Sequence, residues 1–377
     1  MDRTPADRPA DTARPLGEAP RTALDLDQDA ALLTAQLVDF PSESGTEEPL
    51  ADAIETALRE LPHLTVHRYG NNVIARTELG RAERVVLAGH IDTVPIAENV
   101  PSRLDEEGVL WGCGTCDMKS GVAVQLRIAR TVPVPNRDLT FVFYDNEEVA
   151  AERNGLRHVA EAHPEWLEAD FAVLLEPSDQ QVEGGCQGTL RVLLRTRGER
   201  AHSARSWLGS NAIHAAAPIL ARLAAYQPRY PIIDGLEYRE GLNAVRIEGG
   251  VAGNVIPDLC TVAVNFRYAP DRSEEEALAH VREVFADCGV DEFVVDDHSG
   301  AAMPGLSHPA ARAFIEAVGG TPMPKYGWTD VSRFSALGVP AVNYGPGNPH
   351  LAHKRDERVH TGKILAAEDR LRGWLTA

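Results

Sequence analysis

Two early stretches of the chain repeat apolar side chains at helical spacing. They are LDQDAALLTAQLVDF (26–40) and LADAIETALREL (50–61), and they predict one or two helices over 26–60. Short apolar runs follow: NNVIAR, RVVLAGHID, LTFVFYDNEE and FAVLLEP. Each is brief and rich in Val, Leu or Phe, as strands buried on both faces are. Helical stretches separate several of them, for example after Ser120. That alternation predicts an α/β catalytic domain with a mostly parallel central sheet flanked by helices.

The pattern changes near Gly184. RVLLRTRG and TVAVNFRY alternate apolar with polar residues, as half-buried antiparallel strands do. SNAIHAAAPILARLAAY between them predicts one helix, and SEEEALAHVREVFADCG a second, opened by a Ser-x-x-Glu capping box. From about Asp297 the buried-strand style returns, with PAVNYGPG and a last helix near KILAAEDRLRGWL. The expected organisation is a tail over 1–23, a catalytic domain over 24–184 and 298–377, and an inserted α+β module over 185–297 that serves as lid and dimerisation domain. The tail is rich in Pro and poor in apolar side chains, so disorder is expected there.

The chain has 377 residues, 44% hydrophobic and 25% charged, which is the mix of a soluble globular protein. A net charge of −19 argues against a nucleic-acid partner. No apolar run approaches the roughly 20 residues of a membrane helix. The start, MDRTPADRPADTARPLGEAP, has no apolar core of a secretory signal. The five cysteines are expected as free thiols, and the protein as cytoplasmic.

The candidate chemistry lies where the buried strands end. RVVLAGHID ends in His90 and Asp92, LTFVFYDNEE in Glu147 and Glu148, and FAVLLEP leads to Glu176. WGCGTCDMKSG adds Asp117, and the loop after PAVNYGPG adds His350 and His353. Ligands of open α/β sheets bind outside the carboxyl ends of the strands. A lone His or Asp there is usually a cap, and Glu147–Glu148 by itself a solvated pair. Several carboxylates at one buried edge repel one another unless something positive is present. Imidazole with carboxylate suits zinc, with cobalt or manganese as substitutes. The supply exceeds what one tetrahedral ion needs, so two ions fit, and in paired sites these sit about 3.5–4 Å apart.

The motifs GHIDTVP, GCGTCDMKSG, DNEE, EPS and AHKRDE resemble, in order and spacing, those of the dinuclear zinc aminoacylase and carboxypeptidase family. The resemblance runs from about residue 28 to the end. It implies that His90 and Glu176 hold one zinc ion, Glu148 and His353 the other, and that Asp117 bridges both. It implies Asp92 as the residue orienting His90, and Glu147 as the base that takes a proton from water and passes it to the leaving amine. His202, in RGERAHSA, resembles the histidine that reaches across from a partner subunit to the oxyanion, which implies a homodimer. Read locally, His202 is a surface residue. His353 rather than His350 matches the family placement. Cys113 and Cys116 read as small residues of a tight loop, and His158, His163 and His214 as structural or exposed.

GVAGNVIPDLCTVAVNFR and KYGWTDVSRF resemble substrate-binding segments of a desuccinylase branch of that family. They imply Asn254, Arg267, Thr329 and Arg333 as substrate contacts, the arginines gripping carboxylates. The second segment departs from the branch at Trp328 and at Val331–Ser332. The implied reaction is hydrolysis of the small molecule N-succinyl-LL-diaminopimelate. Deacetylation of acetylornithine and dipeptidase or carboxypeptidase cleavage share the same site and are the rival activities. A catalytically silent binding relative would have lost Glu147 or a ligand, and none is missing.

Overall fold

In the computed structural model, which describes residues 23–377 and the pair Arg14–Pro15, the buried apolar runs become strands. Apart from Arg14–Pro15 and Ala23, the expected tail lies outside the described residues. Arg14–Pro15 pairs antiparallel with Arg103–Leu104. The chain divides into two compact units. The first comprises 23–181, Phe314–Gly320 and Asn343–Ala377, and the second Val182–Ala313 and Thr321–Val342.

Unit 1 holds the strands β1 (Thr65–Tyr69), β2 (Asn72–Arg76), β3 (Arg84–His90), β4 (Asp138–Tyr144) and β5 (Phe171–Leu174). Their order is β5-β3-β4-β2-β1, within a mixed, mostly parallel sheet. β3 runs parallel to β4 and to β5, while β2 is antiparallel to β4 and β1. β4 and β5 are buried along their whole length, which is why these runs carry no polar alternation. The helices are α1 (Ala30–Val38), α2 (Glu48–Arg59), α3 (Lys119–Thr131) and a last helix, Thr361–Thr376. Asp29 caps α1 by accepting from the N–H groups of Ala31 and Leu32. α3 packs between β3, α1 and the last helix. The approach is close enough to require Gly121: a Cβ there would lie 2.1 Å from the carbonyl oxygen of Leu175. This is the physical reason for the glycine that closes GCGTCDMKSG.

Unit 2 is built on an antiparallel sheet of β6 (Gly188–Arg197), β7 (Gly241–Gly249), β8 (Leu259–Tyr268) and β9 (Glu292–Ser299), in the order β7-β8-β6-β9. Leu190, Val192, Leu194, Val262, Val264 and Phe266 turn one face of that sheet into a core against α4 (Ala217–Ala225) and α5 (Glu274–Val284). The predicted capping box is present. Glu276 N–H donates to Ser273 Oγ (3.1 Å), and Ser273 N–H donates to Glu276 Oε2 (2.9 Å). The single helix expected from SNAIHAAAPILARLAAY is instead a short helix, Ala212–Ala215, followed by α4. Pro218 near the start of α4 has no N–H to donate and tolerates only a first helical turn, so the run restarts there.

Candidate metal centre

β3, β4 and β5 run parallel, in a register that sets His90 opposite Tyr144 and Ala88 opposite Leu174. Their carboxyl ends therefore reach one edge together. His90 closes β3, Asp145–Glu148 follow β4, and Glu176 lies two residues past β5. Asp117 comes to the same edge on the loop before α3. All of these residues belong to unit 1, as does His353.

The Asp117 carboxylate lies between two imidazoles. Its Oδ1 is 3.1 Å from His90 Nε2, and its Oδ2 is 3.3 Å from His353 Nε2. His353 Nε2 also lies 2.8 Å from Glu148 Oε1. Donor atoms of His90, Asp117 and Glu148 all fall within 4.8 Å of one another. His353, not His350, is the ring that meets these carboxylates. It sits in the left-handed region (φ 61°), where a non-glycine residue is uncommon.

Asp92, fully buried, organises the edge from behind. Its carbonyl oxygen is 3.0 Å and its Oδ1 3.4 Å from His90 Nδ1, which leaves Nε2 facing Asp117. Asp92 Oδ1 also accepts from Glu147 N–H (3.0 Å), and Oδ2 accepts from Glu148 N–H (3.1 Å) and Ser44 Oγ (2.7 Å). One carboxylate thus fixes both the ring of His90 and the turn that carries Glu147 and Glu148. Glu47, also fully buried, supports the same turn: its Oε1 accepts from Asn146 N–H at 3.3 Å. Glu176 is 4% exposed, and its charge favours protonation of His90.

The electrostatics show what the site accepts. Contacts to Asp117 and Glu148 push His353 up to about 10. Burial alone would lower His90, but Asp117 and Asp92 reverse this and hold it well above the ordinary imidazole range. Burial disfavours ionised Asp117, yet His353 and His90 keep its carboxyl far below the usual range. The pocket thus draws in positive charge, either as protons on both rings or as cations in their place. Unprotonated imidazole nitrogens and carboxylate oxygens are the donor set that divalent zinc takes. The residues present fit such an ion.

The Asp117 loop carries further buried groups. Cys113 and Cys116 are free and buried, and burial pushes the Cys116 thiol up to about 12, so both are inert small residues of the loop. Lys119 is buried, donates to the Phe40 carbonyl oxygen (2.8 Å), and is lowered by burial to about 8. Glu357 accepts three backbone N–H groups of the loop, and burial raises it to about 7. The sequence pattern pointed to neither role. Their partners are main-chain groups far away along the chain, which leave no local signature.

The remaining predicted residues belong to unit 2. His202 caps a short helix, its Nδ1 accepting from Ala204 N–H (3.0 Å), and both it and Asn254 are exposed. Ser203 N–H donates to the Asn254 carbonyl (2.9 Å), so these two loops lie side by side. Arg267 on β8 is half-buried, with its guanidinium lowered chiefly by burial. Thr329 is buried. Arg333 is ion-paired with Asp330 and lies 5.3 Å over the ring of Trp328. Trp328 Nε1–H and Ser332 Oγ–H both donate to the Gly300 carbonyl, at 3.0 and 2.7 Å. The two positions at which the sequence departs from the desuccinylase pattern therefore anchor on a single atom. Of the other histidines, His163 stacks on Trp166 at 3.8 Å, the His158 ring bonds the Glu152 carbonyl (2.8 Å), and His214 is exposed.

Residues 86–376 match Peptidase family M20/M25/M40. The chain is 56% identical over 353 residues to a putative succinyl-diaminopimelate desuccinylase of Mycobacterium tuberculosis, covering 93% of this chain and 99% of that one. It is 51% identical over 364 residues to a succinyl-diaminopimelate desuccinylase of Corynebacterium glutamicum, covering 94% and 98%. Among solved structures it resembles a tripeptidase from Staphylococcus aureus, with a TM-score of 0.77 at 21% identity over 93% of this chain and 98% of the other. It also resembles a dinuclear metal-binding peptidase of the M20 family from Bacillus subtilis, with a TM-score of 0.69 at 18% identity over 92% and 96%.

Proposed function

We propose a function from the premise that this chain belongs to Peptidase family M20/M25/M40, and is therefore a metal-dependent amidohydrolase. Its substrate is N-succinyl-LL-diaminopimelate, hydrolysed to succinate and LL-diaminopimelate in the synthesis of lysine and cell-wall precursors. The observation that carries this reading is the nearly full-length likeness, at 56% and 51% identity, to desuccinylases.

In this reading His90 and Glu176 would hold one zinc ion, Glu148 and His353 a second, and Asp117 would serve both. The placement of Asp117 between His90 and His353 supports it. Cobalt or manganese would substitute. Held there, such ions would supply Lewis acidity toward the scissile carbonyl and toward water. Glu147 would take a proton from the attacking water as its oxygen adds to the amide carbonyl carbon, and would return it to the amine nitrogen as the C–N bond breaks. Asp92 keeps the His90 ring oriented throughout and holds the backbone beneath Glu147. Arg267 and Arg333 bind substrate carboxylates, with Asn254 and Thr329 as polar contacts.

The module over 185–297 acts as lid and dimerisation domain, and His202 serves the oxyanion of a partner subunit's site. Two features favour a homodimer. β7 is an edge strand exposed from Asn243 to Gly249, with Val245 and Ile247 58% and 49% exposed. Trp207 is 76% exposed. Edges and apolar groups of this kind are ordinarily covered.

A substrate panel with zinc-loaded protein tests the assignment. We expect succinate release from N-succinyl-LL-diaminopimelate to exceed turnover of N-acetylornithine and of dipeptides. Preference for either rival would overturn the substrate while leaving the hydrolytic centre in place.

A further inference from the structure

The loop that presents Asp117 turns three backbone N–H groups toward one side chain. Gly114 N–H donates to Glu357 Oε2 at 3.0 Å. Cys116 N–H and Asp117 N–H donate to Glu357 Oε1 at 2.8 and 3.1 Å. Gly112 N–H donates to the Glu357 carbonyl oxygen at 3.1 Å, and Cys116 Sγ–H to that of Arg358 at 2.9 Å. Glu357 is 2% exposed. Both of its oxygens are thus engaged by amides, so it serves the loop as an acceptor.

Only a carboxylate suits this cradle. Three donors converge, and an ionised carboxylate is acceptor-only, whereas Gln would turn an NH2 group on at least one of them. Amide bonds to a charged acceptor are also stronger than neutral ones. Glu357 lies four residues after His353, on the same short segment, and Glu357 N–H donates to the Lys354 carbonyl (3.1 Å) to close a turn between them. This segment therefore supplies the imidazole beside Asp117 Oδ2 and also grips the backbone of Asp117 itself.

We propose that Glu357 is a positioning residue of the metal centre: by holding the Gly114–Asp117 amides it fixes the Asp117 carboxylate at the distance from His353 at which both serve one ion. The inference rests on the paired-ion reading above. With both oxygens taken by loop amides, Glu357 would act through Asp117 and not on ion or substrate directly. Groups that orient a ligand in this way alter metal affinity when removed, commonly by about 10–100-fold.

The test is zinc affinity of metal-depleted full-length protein, measured by competition with a chromophoric chelator, for wild type, Glu357→Gln and Glu357→Asp. Circular dichroism and thermal melting of the metal-free forms give the folded fraction. We expect Glu357→Gln to bind at least one zinc about 10–100-fold more weakly per folded chain. Glu357→Asp, which keeps the charge on a shorter stem, should fall between it and wild type. Wild-type affinity in folded Glu357→Gln would overturn the proposal, as would a loss that only tracks the unfolded fraction. If Glu357→Gln does not fold, Glu357→Asp decides, and wild-type affinity in that variant overturns the proposal. A wild-type chain that binds no zinc would remove the paired-ion reading itself. Zinc-binding wild type with equally good variants would remove only the role of Glu357.

Discussion

Asp117 and His353 show how single residues here depend on the charge around them. Two imidazoles flank one carboxylate, so in the metal-free protein the rings retain protons. His353 titrates near 10, against about 6.5 for a free imidazole. A group whose pKa is raised by folding contributes stability that is fully present below its unfolded value and is lost as pH rises through the folded value. His90 is raised in the same direction. Lys119 works the other way: lowered by burial to about 8, it adds stability as pH rises above that value. Metal-free protein should therefore lose stability between about pH 6.5 and about pH 8. Denaturation midpoints across that range will check this, and His353→Ala should flatten part of the slope. A midpoint that stays constant or rises with pH would contradict the assignment. Bound zinc should reverse the trend, because cations compete with those protons and bind better as they leave.

At the scale of elements, the site is made by strand ends, and that part was legible in the sequence. Short apolar runs closing in His90, Asp92, Glu147 and Glu148 fix both the parallel strands and the edge they share, because the side chains at a strand terminus lie next to the run that predicts it. Two things were not legible. Pro218 divides a helix that the apolar spacing alone reads as continuous. Glu357 and Glu47 act on backbone N–H groups of distant loops, and any sequence offers such groups at every residue except proline. AHKRDE supplies His353, and its last residue latches a loop some 240 positions earlier. Packing imposes its own demand at Gly121, where α3 meets the end of β5. Gly121→Ala puts a methyl 2.1 Å from a carbonyl oxygen, and overpacking of this kind typically costs about 1–3 kcal/mol. A lowered denaturation midpoint and weaker metal binding are expected together, since α3 begins two residues after Asp117. Unchanged stability would show that the helix can shift freely.

At the scale of the whole molecule, unit 1 carries the predicted metal ligands and the base, and unit 2 carries the predicted substrate contacts and His202. Family membership and the donor set of unit 1 speak to the same chemistry from independent sides. The identity to desuccinylases bears on the substrate, and Arg267 and Arg333 are the cations proposed to meet its carboxylates in a chain of net charge −19. Among the described residues no helix is long and apolar enough to cross a membrane. The most direct measurement is succinate release from N-succinyl-LL-diaminopimelate while zinc is titrated into metal-depleted protein. We expect no release without metal, activity that rises with zinc and levels off at two ions per chain, and little turnover of N-acetylornithine at the same loading. Full activity without metal, or none at two bound ions per chain, would contradict this expectation.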